Sequence, residues 1–72
     1  MKKVYRLEEL DCANCAAKME RAIGQLPGVE KASVNFMGQK LILNADESKF
    51  DEILDAVEQT IRRIEPDCRI VK

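Results

Sequence analysis

Hydrophobic and polar residues follow two different periods along this chain. They alternate in residues 3–9, 29–36 and 39–44, a pattern typical of strands with one buried face. In residues 14–25 and 48–64 the apolar positions recur every three or four residues, which predicts two amphipathic helices. The pattern therefore predicts a strand, a helix, two strands and a second helix, in that order.

Breaker and capping residues mark where these elements end. Residues 26–29 (LPGV) end the first helix, and residues 65–67 (EPD) end the second because proline lacks the backbone N–H that a helix uses. Ser48 followed three residues later by Asp51 resembles a capping box, which predicts the start of the second helix. Residues 68–72 (CRIVK) then predict a short fourth strand.

The order β-α-β-β-α-β predicts an α+β fold. Two helices covering one face of a four-stranded antiparallel sheet bury both sets of apolar residues, which gives a ferredoxin-like two-layer sandwich. With the strand order 4-1-3-2 that is usual for this fold, three loops share one edge of the sheet. These loops are residues 11–14, 36–39 and 65–67. A group bound by the first loop would find its nearest additional donors in the third.

Composition and charge limit the functions that such a chain can have. The 72 residues make a single domain, 1–72, whose core is too thin to enclose a catalytic cavity. The net charge is −1 with acids and bases interspersed, which argues against a nucleic-acid partner. No apolar run approaches the roughly 20 residues of a membrane span, and the N-terminus lacks the apolar region of a signal peptide. We therefore expect no membrane insertion of this segment, a cytoplasmic location and reduced thiols.

Cys12 and Cys15 are the strongest candidates for chemistry. A C-x-x-C spacing across a loop-to-helix junction lets both sulfurs converge, and the positive end of the helix dipole favours the thiolate. A redox pair would be expected in a longer, thioredoxin-like chain, and a structural zinc site needs four closed ligands. Two inert cysteines would be expected among apolar neighbours, whereas Asp11 and Asn14 are polar. The spacing therefore favours an open, exchangeable metal site.

Residues 10–18 (LDCANCAAK) and the GV and VNF segments within 28–36 resemble the heavy-metal-associated domain family. Members of that family are small metallochaperones or N-terminal modules of heavy-metal-transporting P-type ATPases. Copper members typically have methionine and threonine where this chain has Leu10 and Asp11. The Asp-Cys-x-x-Cys form resembles the zinc, cadmium and lead branch of the ATPases. The resemblance implies metal binding by a non-catalytic module whose parent protein lies in the cell membrane.

The chemistry of the donors favours the same branch. Cu(I) is satisfied by two thiolates, whereas Zn²⁺ and Cd²⁺ take about four ligands and accept mixed sulfur and oxygen donors. We therefore predict Asp11 as a ligand beside Cys12 and Cys15, with Cd²⁺ or Zn²⁺ as the ion; Pb²⁺ is also compatible and Cu⁺ less so. The alternative for Asp11 is a helix cap.

Three further residues are weaker candidates for the metal site, namely Glu65, Asp67 and Cys68. The acids beside Pro66 are also typical of a solvated turn, and Cys68 is also typical of a small buried core residue.

These inferences predict a module that captures a soft divalent cation and passes it by ligand exchange to the membrane transport domains of a P-type ATPase, in cis or in trans. A free-standing copper(I) or zinc metallochaperone is one alternative, and a thiol–disulfide redox protein is another. We expect a monomer, although a metal ion shared between two cysteine pairs could bridge two copies.

Overall fold

The computed structural model describes residues 1–72 and contains four strands, two α-helices and one short 3-10 helix. The elements are β1 (Lys2–Glu8), α1 (Ala13–Gly24), β2 (Val29–Asn35), β3 (Lys40–Ala45), a 3-10 helix (Glu47–Lys49), α2 (Phe50–Ile64) and β4 (Arg69–Val71). The strands form one antiparallel sheet in the order β2-β3-β1-β4. The predicted α+β, ferredoxin-like sandwich and its strand order are confirmed. Neither helix is both long and apolar enough to span a bilayer.

The core lies between the helices and one face of the sheet. On β3 the alternation places Leu41, Leu43 and Ala45 inward, and all three are fully buried. Helix α1 adds Ala16, Met19 and Ile23, and α2 adds a longer stripe. The buried stripe of α2 consists of Phe50, Ile53, Leu54, Val57, Thr60 and Ile61. Burial of each large aliphatic side chain contributes about 1.5–3 kcal/mol, so these facing surfaces account for the pairing of the two layers.

The predicted capping box at Ser48 and Asp51 is wrong. Residues 47–49 form a 3-10 turn ahead of α2, and Asp46 caps that turn. The Asp46 Oδ1 atom accepts hydrogen bonds from the Ser48 backbone N–H (3.0 Å) and from the Ser48 hydroxyl (2.9 Å). Ser48 is therefore a donor here, and α2 begins after Lys49 without a side-chain cap. Ser48 is thus part of a cap, but its partner is Asp46 rather than Asp51, and the capped turn precedes α2.

Gly28 sets the distance between the loop after α1 and helix α2. Its φ is +90°, a conformation that side chains disfavour, and a Cβ at this position would lie 2.7 Å from Ile53 Cδ1. The predicted break at residues 26–29 is confirmed, because α1 ends at Gly24. Glycine is needed here both for its backbone conformation and for the close approach of α2.

The two outer strands of the sheet are irregular or short. On β2 the register shifts between Val29 and Lys31, which is a bulge opposite the end of β3. On the other side, β4 has only three residues and pairs with Arg6, Leu7 and Glu8 of β1. Beyond the bulge, β2 pairs regularly with β3 from Lys31 to Asn35, so only the β4 side of the sheet is short.

Candidate metal site

The loop between β1 and α1 is positioned by a change of backbone direction and a buried anchor. β1 ends at Glu8, and Glu9 then takes a φ of +62°, which is uncommon for a glutamate. The next residue, Leu10, is buried in the core. The turn at Glu9 and the buried side chain of Leu10 fix where the loop begins. They hold residues 11–14 at the rim of the sandwich.

Cys12 is the N-cap of helix α1, and Cys15 lies in its first turn. Cys12 has extended backbone angles, and its carbonyl accepts the first helical hydrogen bond from Ala16 N (3.0 Å). Its Sγ accepts a hydrogen bond from the Cys15 backbone N–H at 3.2 Å. A sulfur atom thus takes the role that an Asp or Asn oxygen usually has at a helix start. The cap is therefore Cys12, not Asp11.

The two cysteine side chains affect each other's protonation. A hydrogen bond from the Cys15 thiol lowers the pKa of Cys12, and the Cys15 backbone N–H acts in the same direction. The same bond, together with burial, raises the pKa of Cys15. Cys12 is therefore the first of the pair to become a thiolate, and the thiolate is the form that binds metals. Cys12 and Cys15 lie at a loop-to-helix junction, as the sequence predicts, and all three cysteines are free.

The side chain of Gln39 joins the first and second loops. Its Nε2 donates to Leu10 O (2.7 Å) and to Phe36 O (2.9 Å), and its Oε1 accepts from Leu10 N (3.3 Å). The backbone N–H of Leu7 also donates to Gln39 O at 2.7 Å. Sequence reasoning placed the two loops at one edge but missed this glutamine, because one polar residue in a turn has no distinguishing pattern.

Glu65 brings the third loop to the same edge. Its Oε1 accepts a long hydrogen bond from the Asp11 backbone N–H at 3.4 Å. Its Oε2 is buried and has no hydrogen-bond partner. A buried carboxylate oxygen without a partner is costly, so this atom needs a proton, a donor or a cation. Of the weaker candidates, Glu65 is the one whose carboxylate contacts the cysteine loop.

The other sequence-predicted residues occupy different environments. The Asp11 carboxylate is exposed and takes part in no hydrogen bond or ion pair within the chain. Asp67 is also exposed. Cys68 is fully buried, and burial raises its pKa to about 11, with Glu65 and Asp11 acting in the same direction. No three of the carboxylates and thiols converge into a ready-made ligand cluster. The edge therefore offers two adjacent sulfurs, one free carboxylate beside them, and one partly tethered carboxylate.

Comparison with known proteins agrees with this geometry. Residues 4–65 match the heavy-metal-associated domain. The chain is 33% identical over 70 residues to the cadmium, zinc and cobalt-transporting ATPase of Bacillus subtilis, covering 97% of this chain and 10% of that protein. It is 36% identical over 55 residues to the zinc/cadmium/lead-transporting P-type ATPase of Shigella sonnei, covering 76% of this chain and 8% of that protein.

Among solved structures, the N-terminal domain of the copper(I) ATPase PacS superposes with a TM-score of 0.76 at 27% identity, covering 100% of this chain and 94% of that domain. The chain thus spans about a tenth of the length of the curated transporters it matches, but almost all of a solved metal-binding domain. The family match extends over both helices and three of the four strands. The chain belongs to the heavy-metal-associated domain family.

Proposed function

We propose that this chain is a metal-binding and transfer module for a soft divalent cation, with Cys12, Cys15 and Asp11 as the first ligands. The observation that carries the proposal is that the Cys12 sulfur caps the helix turn holding Cys15, with an unpaired carboxylate directly before it in the chain. The ions we propose are Cd²⁺ or Zn²⁺, with Pb²⁺ compatible and Cu⁺ disfavoured. The similar transporters of Bacillus subtilis and Shigella sonnei are named for cadmium and zinc, which supports this choice.

Glu65 is our candidate for the fourth ligand. Zn²⁺ and Cd²⁺ take about four donors, and two sulfurs with one Asp11 oxygen leave one position open. Glu65 contacts the cysteine loop through its Oε1, and its unpartnered Oε2 is a buried oxygen that a cation would satisfy. We assign no ligand role to Cys68, since its burial and raised pKa keep the thiol protonated, or to Asp67, since it lies exposed in the turn.

Transfer follows from the different attachment of the two sulfurs. Cys15 is held within a helical turn, whereas Cys12 is the cap at the end of a loop. An incoming thiolate can displace Cys12 first while Cys15 keeps the ion, so the metal is never released into water. We propose that the receiving groups belong to the membrane domains of a P-type ATPase, in cis or in trans. In this proposal the whole of 1–72 is one cytoplasmic, non-catalytic module of a transporter in the cell membrane.

A copper(I) chaperone is the second candidate. The fold is shared with a domain of a copper(I) ATPase, and two thiolates alone satisfy Cu⁺. The Asp11 carboxylate distinguishes the two candidates, because an oxygen donor contributes little to a Cu⁺ complex.

A metal competition titration under reducing conditions, with native mass spectrometry for stoichiometry, tests the proposal. We expect one Cd²⁺ or Zn²⁺ per chain, lost in Cys12→Ala/Cys15→Ala and kept in the control Cys68→Ala. Circular dichroism shows whether each variant is folded. Tight binding by the folded double variant would overturn the site.

A matched pair of acid substitutions tests the choice of ion. Asp11→Thr should weaken Zn²⁺ and Cd²⁺ binding relative to Cu⁺, while Asp67→Thr makes the same change in the exposed turn and should leave the preference unchanged. Glu65→Gln should weaken divalent binding with Cu⁺ unaffected. An unchanged preference in Asp11→Thr would show that the carboxylate is not a ligand.

A further inference from the structure

The face of the sheet that is not covered by helices has a distinctive composition. The registers place the same-facing positions of all four strands side by side on it. This open sheet face consists of Lys2, Val4, Arg6, Glu8, Lys31, Ser33, Asn35, Lys40, Ile42, Asn44, Arg69 and Val71. It contains no aromatic residue, and Val4 and Val71 are 56% and 40% exposed at its middle and edge.

Charge is segregated onto this face. At its register positions it carries five of the 12 basic residues of the chain and one of its 13 acids; Glu30, exposed in the bulge of β2, has no register partner. In the sequence the two signs are interspersed, and it is the alternation of the strands that separates them. The acid at a register position, Glu8, is already paired with Arg69 at 3.1 Å. The other four basic residues take part in no ion pair.

Two of these cations face each other directly. Arg6 of β1 and Lys40 of β3 are cross-strand partners on the open face. Like charges directly opposite in an antiparallel pair are destabilising, so this arrangement lowers the stability of the isolated chain. An anion lying over the pair would remove the repulsion.

A second cation pair lines a shallow cleft on the same face. Lys2 and Lys31 lie on either side of Asn44, which is the register partner of both. Together with Ser33 and Ile42 these residues surround a cleft of about 260 Å³. The cleft offers two ammonium groups, a hydroxyl and an amide, which are donors suited to phosphate oxygens.

The composition of the face selects among anionic partners. Single-stranded nucleic acid is bound on four-stranded sheets by aromatic side chains that stack on the bases, and this face has none. Specific protein interfaces are centred on aromatic or arginine anchors in pockets, and the only cleft here is lined by lysines. Dispersed cations around exposed valines fit a surface of repeated anionic headgroups. We infer that the open sheet face docks on a membrane surface rich in anionic phospholipids.

The acidic side of the molecule does not prevent this docking. The shortest extent of the chain is 17 Å, which exceeds the Debye length of about 8 Å at physiological ionic strength. Acids on the exposed side of α2, such as Asp51, Glu52 and Asp55, are therefore largely screened from the lipid. The cysteine loop lies at an edge of the sheet, so the thiols stay accessible in the docked orientation.

Vesicle co-sedimentation of the metal-free chain tests this inference separately from metal binding. We expect the chain to pellet with vesicles of equimolar phosphatidylcholine and phosphatidylglycerol, and not with phosphatidylcholine alone. Binding should weaken as salt is raised, because screening shortens the range of the attraction. Arg6→Gln/Lys40→Gln should lower the partition coefficient about thirtyfold, because each basic residue near an anionic membrane contributes about 1 kcal/mol to binding and the variant lacks two of them.

The matched control is Lys18→Gln/Arg62→Gln, which makes the same change of net charge on the helical side. This control should bind vesicles as the unmodified chain does. The melting temperature of Arg6→Gln/Lys40→Gln should be no lower than that of the unmodified chain, because the variant lacks the like-charge pair. Equal loss in both variants, equal pelleting with neutral vesicles, or no pelleting at all would overturn the inference. Binding of mixed-sequence single-stranded RNA or of polyglutamate by this face, without vesicle binding, would also overturn it.

Discussion

The side-chain amide of Gln39 donates to the backbone carbonyl of Leu10 across 29 positions of sequence, with 2.7 Å between Nε2 and O. Gln39 lies in the hairpin turn, and Leu10 is the buried residue from which the cysteine loop starts. The bond therefore connects the hairpin to the segment that carries Asp11 and Cys12. The geometry of the proposed metal site therefore depends on Gln39, which is not one of its proposed ligands.

Gln39→Ala should destabilise the fold and weaken metal binding together. The substitution removes the donor to the Leu10 carbonyl and the acceptor of the Leu10 N–H, at a cost of about 1–3 kcal/mol in the free energy of unfolding. The Phe36 carbonyl keeps only the 3.4 Å bond from the Gln39 backbone N–H. The metal affinity should fall because the loop loses its anchor. Urea unfolding and metal titration measure the two effects. Gln59→Ala, which removes an exposed glutamine on α2, should change neither; an unaltered unfolding midpoint in Gln39→Ala would refute the role.

The two cysteines of the site should react with iodoacetamide over different pH ranges. Because the hydrogen bond from the Cys15 thiol lowers the pKa of Cys12, the Cys12 profile should lie at lower pH than that of Cys15. Cys15→Ala removes that bond and should move the Cys12 profile to higher pH, whereas Cys68→Ala should not. Peptide mass spectrometry after timed quenching separates the sites. Overlapping profiles for Cys12 and Cys15 would show that the thiol–thiol bond is absent in solution.

Alkaline pH should destabilise the chain through Cys68. Its pKa is raised from 9.0 to about 11 by burial, so the unfolded chain loses the proton first. Between these values the folded state holds more protons than the unfolded state, and the free energy of unfolding falls as pH rises. The contribution is complete below pH 9 and is lost as the pH passes through about 11. Denaturant unfolding over this range should show a shallower decline for Cys68→Ala; parallel slopes would contradict the assignment.

Two glycine substitutions should have opposite effects. Gly28→Ala places a methyl group 2.7 Å from Ile53 Cδ1 in a backbone conformation with φ of +90°. The combined strain and overpacking should cost about 2–4 kcal/mol. Gly24→Ala adds a methyl group where no atom lies within 4 Å, at the end of α1, and should stabilise by about 0.5–1 kcal/mol. Thermal melting of the two variants gives the comparison, and a Gly28→Ala variant as stable as the unmodified chain would show that the loop can move.

Hydrophobic periodicity predicted the helices and strands because burial of one face of each element determines both its periodicity and its place in the fold. The strand expected at 3–9 runs from Lys2 to Glu8, one residue earlier at each end, and the helix expected at 14–25 is Ala13–Gly24. The first strand stops early because Glu9 adopts a positive φ, which an alternating pattern does not encode. Pro66 ends α2 after Ile64, as predicted, because its effect is local.

Contacts between distant loops were less accessible to sequence reasoning. The position of Cys12 and Cys15 at a loop-to-helix junction followed from their spacing, and the meeting of three loops followed from the strand order. The tether through Gln39, the long contact of Glu65 with Asp11 and the use of a cysteine as the helix cap did not. Each of these contacts depends on which of several polar residues forms the hydrogen bond, and tertiary packing determines this rather than the local sequence pattern.

The bulge on β2 and the brevity of β4 have a consequence for the chain at high concentration. A regular outer strand exposes a row of unpaired amides and carbonyls on which a neighbouring molecule can add its own strand. Here β2 is distorted between Val29 and Lys31 and its Val34 N–H already donates to Glu20 Oε1, while β4 has only three residues, so both outer strands are poor templates for a larger sheet. Aggregation by strand addition is therefore unfavourable, and contacts between molecules are made through side chains.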